Sequence, residues 1–531
     1  MVHTHGRYAL SLLILPCYFR LVTRQRLLNA GSNWLAFALT LLVAFLLTPH
    51  LIRSLGPARY DVWCVVEAIL AYFTLLDLGV GVGLVRAAAR SRQQPDELNR
   101  IASASVAVFS FAGLVALAIG IPLTLLLAPT IGERAGDPRD ATLFMLLMLL
   151  NLALALPLSA LGSILEGREA FVGRSAIRVA ALLLKAGGYV AVTWSGHSLV
   201  PLALVSLIVT ALESLGLFAL VFHIVPTLTL RRSLIDRATL REVRGQSWHA
   251  FLVMLAGRIT MQTAVIAVGL ALPAGLATAF ATAARLVDYA KTLLRTITAT
   301  LTPGIAAMEV AGDWAGIRRL ILTTTTVTIS LALPINLGLI AFGHPFLVRW
   351  VGSEIADRAY PPLVILSATL AIGVVQSVAS RVLYGLGRLR WFARLGMLES
   401  VVNVLLTIVL IRDFDLVGVA VAVAVPNGLL CFATIGIAMR LSGIEAWSAA
   451  RSIVVPLAMS AIPLTMWLLL GPATADYGAI LLRAGSGYGL YLVAVGALEL
   501  MFRHPIRPPV RTARYDPHGR PAFSGRSVQT S

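Results

Sequence analysis

Four charged side chains fall inside one apolar stretch of this sequence: Arg285, Asp288, Lys291 and Arg295 all lie within 276–302. At 100° per residue, a helix gathers them into an arc of about 120°. Thr292 and Thr302 fall inside the arc, and Thr296 and Thr298 just beyond its edges, while Leu286, Ala290, Leu293, Leu294, Ile297 and Leu301 cover the opposite side. Charge is costly in hydrocarbon, so such a stripe must face protein or a wet interior. Its excess of cations suits an anionic ligand, since guanidinium and ammonium groups make charge-assisted hydrogen bonds to phosphate. The plainer reading is snorkelling from the helix ends or a satisfied Arg285–Asp288 bridge. Asp288 and Lys291 are too central for snorkelling to account for the whole stripe.

Two more apolar stretches repeat the theme. Arg178, Lys185 and Tyr189 share one face of 176–195, and Arg258 and Gln262 stand one turn apart in 249–271. Arg178 also reads as a loop-end anchor, whereas Lys185 and Arg258 lie deeper. The candidate ligand-binding cations are therefore Lys185, Arg258, Arg285, Lys291 and Arg295. The acids form a second set. Glu67 and Asp77 fall on one side of 61–85, and Glu213 and Glu399 stand alone in apolar surroundings. With Asp288, each is a candidate for carrying a proton or binding sodium, or else a structural partner for an arginine. A proton or sodium gradient is thus the expected energy source, with no other cofactor.

Covalent and metal chemistry find no support. Cys17, Cys64 and Cys431 are far apart and make no CxxC pair, and the histidines make no HExxH pattern. Gly79-Val80-Gly81-Val82-Gly83 follows no soluble strand, so it is no dinucleotide loop. Glycines there mean close helix packing or a flexible break. Neither GxSxG nor a Walker sequence occurs, so no catalytic residues and no metal site are expected.

The elements that must position these residues are membrane helices. Of 531 residues, 58% are hydrophobic and 13% charged, about half the usual charged share. Apolar runs long enough to cross a hydrocarbon core of about 30 Å recur almost end to end. Continuous runs such as Leu41–Leu47 do not alternate as barrel strands do, which leaves helices. The expected fold is an all-α polytopic membrane protein with about fourteen spans: 33–52, 61–85, 102–128, 142–164, 176–195, 199–224, 249–271, 276–302, 318–342, 361–383, 392–411, 416–439, 453–471 and 479–502. Placing the N-terminus inside puts about twenty-five arginines in inside segments and about seven in outside loops. Both termini are then cytoplasmic. The net charge of +18 follows from those loops, so nucleic acid is not an expected partner. The chain divides into a basic, interfacial N-terminus at 1–30, an N-lobe at 31–225, an amphipathic surface linker at 226–248 with Arg231, Arg232, Arg237, Arg241 and Arg244, a C-lobe at 249–440, two further helices at 441–502, and a disordered basic tail at 503–531.

The loops carry a recognisable order of short motifs. Leu55-Gly56, Tyr60-Asp61, Trp63, Asp77-Leu78-Gly79 and Arg86 resemble the start of the polysaccharide flippases of the multidrug/oligosaccharidyl-lipid/polysaccharide exporter superfamily, with Asp61 where that family has glycine. Leu301-Thr302-Pro303, Gly312-Asp313, Trp350-Val351-Gly352, Tyr360-Pro361-Pro362-Leu363, Leu383-Tyr384-Gly385-Leu386-Gly387-Arg388, Asn403 and Leu416-Val417-Gly418 resemble its later half, so the likeness covers about 30–440. The resemblance implies two six-helix lobes around a central cavity, plus two C-terminal helices. It also implies passage of a polyprenyl-pyrophosphate-linked oligosaccharide across the bacterial cytoplasmic (inner) membrane for surface polysaccharide of the O-antigen, lipopolysaccharide or exopolysaccharide kind. Membrane lipids, a polysaccharide polymerase and glycosyltransferases are the partners so implied. A peptidoglycan-precursor flippase, a cation-coupled multidrug exporter and, in another class, an integral membrane polymerase or glycosyltransferase are the alternatives.

Overall fold

The computed structural model describes residues 6–502 apart from 78, 92–93, 197, 237–238, 240–247, 299–300 and 470–475. The described chain is a bundle of α-helices. The first half holds α1 (Gly6–Leu55), α2 (Pro57–Phe73), α3 (Val80–Arg90), α4 (Pro95–Ala135), α5 (Pro138–Gly167), α6 (Phe171–Ser195) and α7 (Val200–Ile224). The second half holds α8 (Trp248–Ala271), α9 (Leu276–Thr298), α10 (Leu301–Val310), α11 (Trp314–Val351), α12 (Ser353–Ala368), α13 (Leu370–Gly385) and α14 (Leu389–Ser442). Last come α15 (Ala446–Met459), α16 (Ala461–Leu469) and α17 (Tyr477–Phe502). Large apolar side chains such as Phe111, Leu126, Leu481 and Val493 point outward and exposed, as a bundle dissolved in lipid requires.

Among the described residues ten spans are long and apolar enough to cross a membrane, α15 and α16 together making one of them, or eleven if the pair α12–α13, bent by 42°, is one span. The expected count was about fourteen; two expected spans are not among these, and one pair is counted as one. The charged stripe makes α9 too polar to pass on composition alone. The expected span 61–85 is broken: α2 gives way to a 3₁₀ turn at Thr74–Asp77, and Gly79 takes φ +77° before α3 begins. Glycine adopts that left-handed conformation without a Cβ clash. The expected spans 392–411 and 416–439 are both present, two helices counted together as α14 that meet at a corner where Asp415 takes φ 47°, ψ −131°.

Other expectations also change. Residue 30 is no boundary in the backbone, because α1 runs without interruption from Gly6 to Leu55. Residues 303–317, expected as a loop, contain most of α10. In the expected amphipathic linker the described backbone is mostly irregular, with one 3₁₀ turn at Arg232–Leu234 between extended Arg231 and Ile235; 237–238 and 240–247 lie outside the described residues, as does the tail 503–531.

The buried cores reveal how the halves meet. One large apolar cluster joins them, with Leu55, Tyr60, Trp63, Phe144 and Leu199 from the first half packed with Leu272, Phe280, Trp350 and Leu416 from the second. It gathers around the connections 55–57, 135–138, 195–200, 271–276 and 351–353, here termed the closed face. Toward the other end each half has its own core. Val80, Leu98, Phe109, Ile164 and Val221 form one; Leu301, Ile305, Ile317, Val382 and Ala438 form the other. A cavity separates them. The C-terminal helices rest on α11, where Phe342 meets Trp467 edge-on at 5.0 Å.

Candidate functional site

The cavity measures about 690 Å³, within the range of small-ligand sites. Its wall takes Cys64 and Glu67 from α2, Arg258 and Gln262 from α8, Arg285, Asp288 and Arg295 from α9, Gln376 from α13, and Glu399 and Asn427 from α14. The local cause is helical periodicity. On α9, Ala279, Ala283, Leu286, Ala290 and Leu294 are buried, so the polar stripe is left to face the space between the halves.

Six of the ten expected site residues meet at this wall: Arg258, Arg285 and Arg295, with Glu67, Asp288 and Glu399. Three cations thus face three carboxylates, a more balanced lining than the cationic one expected from the α9 stripe. What matters is who is paired. Arg285 donates from Nη2 to Glu67 Oε2 at 2.6 Å and from Nη1 to the hydroxyl of Tyr60. Its guanidinium carbon lies 5.7 Å from the Tyr60 ring centre, in reach of a cation–π attraction. Glu399 Oε1 accepts from Asn427 Nδ2 at 2.9 Å. Arg258 and Arg295 are exposed to the cavity, and neither enters an ion pair among the described residues.

The other four lie elsewhere. Lys291 lines a small cleft beside the cavity, and Thr260, Asp288 and Asn427 belong to both walls. Lys185 is off the cavity wall, with its ammonium 5.6 Å from the Tyr189 ring centre and within electrostatic range of Glu67 and Glu213. Glu213 also feels Arg178 and Arg174. Asp77 does not share a site with Glu67. The turn at Thr74–Asp77 changes the helical phase, and its Oδ1 accepts from the Gly81 backbone at 3.2 Å at the start of α3.

Sequence reasoning missed the closed face, where first-half side chains cap helix ends of the second half. Asp61 Oδ2 accepts from the Gly275 N–H at 2.6 Å, and its Oδ1 accepts from the N–H and the hydroxyl of Thr278, each at 2.6 Å. Those groups open α9. Arg134 Nη1 donates to the carbonyls of Gly269 at 3.1 Å and Leu272 at 2.6 Å, closing α8. Arg53 Nη2 donates to the carbonyls of Arg349 at 3.2 Å and Trp350 at 3.1 Å, closing α11. Each sign matches the helix dipole: carboxylate at the N-terminal end, guanidinium at the C-terminal ends. Trp350 completes the contact, stacking on Phe45 at 5.0 Å and donating to its carbonyl at 3.0 Å. The one available signal was Asp61 itself, a charged residue where the resembled family has glycine.

An amphiphilic cavity between two helical halves, sealed at one end, defines a membrane transporter architecture, and comparison with known proteins agrees. The family model described as polysaccharide biosynthesis protein matches residues 27–309, and the chain belongs to that family. Among solved structures it is similar to the lipid II flippase MurJ in an inward closed conformation, with 13% identity and a TM-score of 0.69 over 90% of this chain and 99% of that one. It is also similar to an inward-facing multidrug resistance MATE family transporter of the MOP superfamily, with 16% identity and a TM-score of 0.65 over 76% and 94%. A MOP superfamily transporter from Pyrococcus furiosus, described as having a binding pocket of reversed polarity, gives 17% identity and a TM-score of 0.56 over 79% and 95%. At these identities the likeness is one of fold. No curated protein matches the sequence significantly.

Proposed function

We propose that this protein flips a polyprenyl-pyrophosphate-linked oligosaccharide across the bacterial cytoplasmic membrane, for surface polysaccharide of the O-antigen, lipopolysaccharide or exopolysaccharide kind. The observation that carries the reading is the pair Arg258 and Arg295, facing the cavity without a carboxylate partner among the described residues, in a chain of the polysaccharide biosynthesis family. A guanidinium offers two parallel donors to a phosphate. The amides of Gln262, Gln376 and Asn427 at the same wall suit sugar hydroxyls. The polyprenyl chain stays in lipid while the head group crosses. No bond is made or broken, so the protein acts as a transporter rather than an enzyme.

The direction follows from the loops. The closed face carries the arginine-poor connections, so the cavity opens toward the cytoplasm, where a lipid-linked glycan made by glycosyltransferases would be collected. Passage requires the closed face to part and the two lower cores to meet, a rocking of one half on the other. A proton or sodium gradient drives the return, with Glu399, Asp288 or Glu213 as carrier. A polymerase acts on the delivered product. A peptidoglycan-precursor flippase would use the same pyrophosphate chemistry. Two arginines unpaired among the described residues disfavour a cationic drug, and the single-residue connection at Gly352 between α11 and α12 leaves no room there for the large extramembrane loop of a polymerase or glycosyltransferase.

The test is complementation of a deletion strain. A variant with Arg258, Arg285 and Arg295 all changed to Ala should insert normally and leave surface glycan absent. Wild-type glycan from that variant would overturn the reading.

A further inference from the structure

Arg285 is the one cavity arginine whose partners all come from across the lobe interface: Tyr60 and Glu67 on α2 hold it from the first half. The Glu67 and Arg285 side chains are 44% and 27% exposed, so their bridge faces the cavity water. A bridge so placed contributes little, because water screens it. A phosphate on a guanidinium is stronger, since it brings more charge and accepts two hydrogen bonds. Glu67 also has somewhere to go, because Lys185 lies on the same half within electrostatic range of it.

We propose that Glu67 is a placeholder for the cargo's pyrophosphate: an entering phosphate takes its place on Arg285, Glu67 turns toward Lys185, and the clasp between α2 and α9 loosens. The inference rests on the function proposed above and adds how the site reports that it is occupied. Tyr60 and Asp61 are neighbours on α2. Asp61 holds Gly275 and Thr278 at the start of α9, while Tyr60 and Glu67 hold Arg285 on the same helix. Ten residues separate Gly275 from Arg285, about 15 Å along a helix. The grip on the closed face and the grip in the cavity are therefore two ends of one helix pair. Losing Glu67 weakens the cavity grip to the Tyr60 hydroxyl and leaves the hold on α9 mainly to the closed-face end, at Asp61 and Pro57. Cargo binding thereby favours the opening that its own delivery requires, whereas an empty site stays clasped.

The test uses the purified full chain and farnesyl diphosphate as probe, with affinity measured by calorimetry and folding followed by thermal melting. Glu67→Gln should bind the probe about tenfold more tightly than wild type, because the internal competitor is gone, and Glu67→Asp should gain less. Arg285→Ala should bind more weakly, and Glu67→Gln added to Arg285→Ala should give no gain. An unchanged or weakened affinity in both Glu67 variants, with Arg285→Ala weakened, overturns the placeholder and leaves the flippase reading standing. Affinity unchanged in Arg258→Ala, Arg285→Ala and Arg295→Ala alike would remove both. Hydrogen exchange tests the clasp. The probe should speed amide exchange in the first turn of α9 in wild type, and protection unchanged at saturating probe would overturn that half of the proposal.

Discussion

Asp61 receives two hydrogen bonds from Thr278, one from its backbone N–H and one from its hydroxyl, each 2.6 Å long. The two residues lie in opposite halves of the bundle, so a side chain of α2 serves as the cap of α9. The carboxylate is buried, and it satisfies N–H groups that the first turn of a helix otherwise leaves unmade. Arg134 and Arg53 repeat the device with the opposite sign at the ends of α8 and α11. The closed face is thus a set of interlocked helix ends. Parting it exposes all of them together.

Asp61→Asn keeps the shape, removes the charge and turns one of the two accepting oxygens into an NH2 donor that faces another donor. Hydrogen bonds to a charged group contribute about 1.5–3 kcal/mol, against about 1 kcal/mol for a neutral acceptor. The variant should shift the population toward a parted closed face by roughly tenfold, following that difference. A single cysteine placed at Ala274, in a chain lacking Cys17, Cys64 and Cys431, reports this as faster labelling by a membrane-impermeant maleimide. Labelling no faster than in the Asp61 parent would mean the cap does not hold the face shut.

Arg134 makes a parallel case that separates charge from packing. Its side chain is exposed while its guanidinium closes α8. Arg134→Gln should lower the melting temperature in detergent, by the order of 1 kcal/mol expected for a helix-end cation, and Arg134→Lys should recover part of the loss. Equal losses for both variants would point to the fork geometry of arginine rather than to its charge.

The sequence made the α9 stripe legible because an apolar face and a polar face at 100° per residue need no tertiary information. Arg285, Asp288 and Arg295 reach one wall for that reason. Asp77 departs from the helical period that the sequence suggests, because the backbone stops being α-helical at Thr74–Asp77. The glycines Gly79 to Gly83 do mark that break, and Gly79 adopts its positive φ there. The pairing of Arg285 with Tyr60 and Glu67 was beyond reach, since more than two hundred residues separate them. So were the three cross-lobe caps, because a carboxylate that caps a helix in another half leaves no local signature. The break between the expected spans 392–411 and 416–439 was legible as well, since the backbone leaves the helical region at Asp415 between them.

Asp77 now distinguishes a structural acid from a coupling one. If its task is to accept from Gly81, asparagine should serve nearly as well, as it does at helix N-caps. Asp77→Asn should keep surface glycan and its dependence on the ion gradient, while Asp77→Ala should cost about 1 kcal/mol of stability. Loss of gradient dependence in Asp77→Asn proteoliposomes would restore Asp77 as a carrier.

Gly257 offers a test that leaves every charge in place. It lies at the cavity wall one residue before Arg258, and a Cβ built on it meets nothing within 4 Å. Gly113 on α4 is the contrast, since its Cβ would stand 2.7 Å from the backbone oxygen of Ala153 on α5. A side chain at 257 extends into the space between the halves, whereas one at 113 must push two packed helices apart. Gly257→Trp should therefore fold with a near wild-type melting temperature and abolish surface glycan, because an indole fills the room the head group needs. Gly113→Leu should instead lower the yield of folded protein, in line with the penalty of overpacking, about 1–3 kcal/mol. Full surface glycan from Gly257→Trp at normal expression would show that the cargo does not pass through this cavity, whatever the arginines bind.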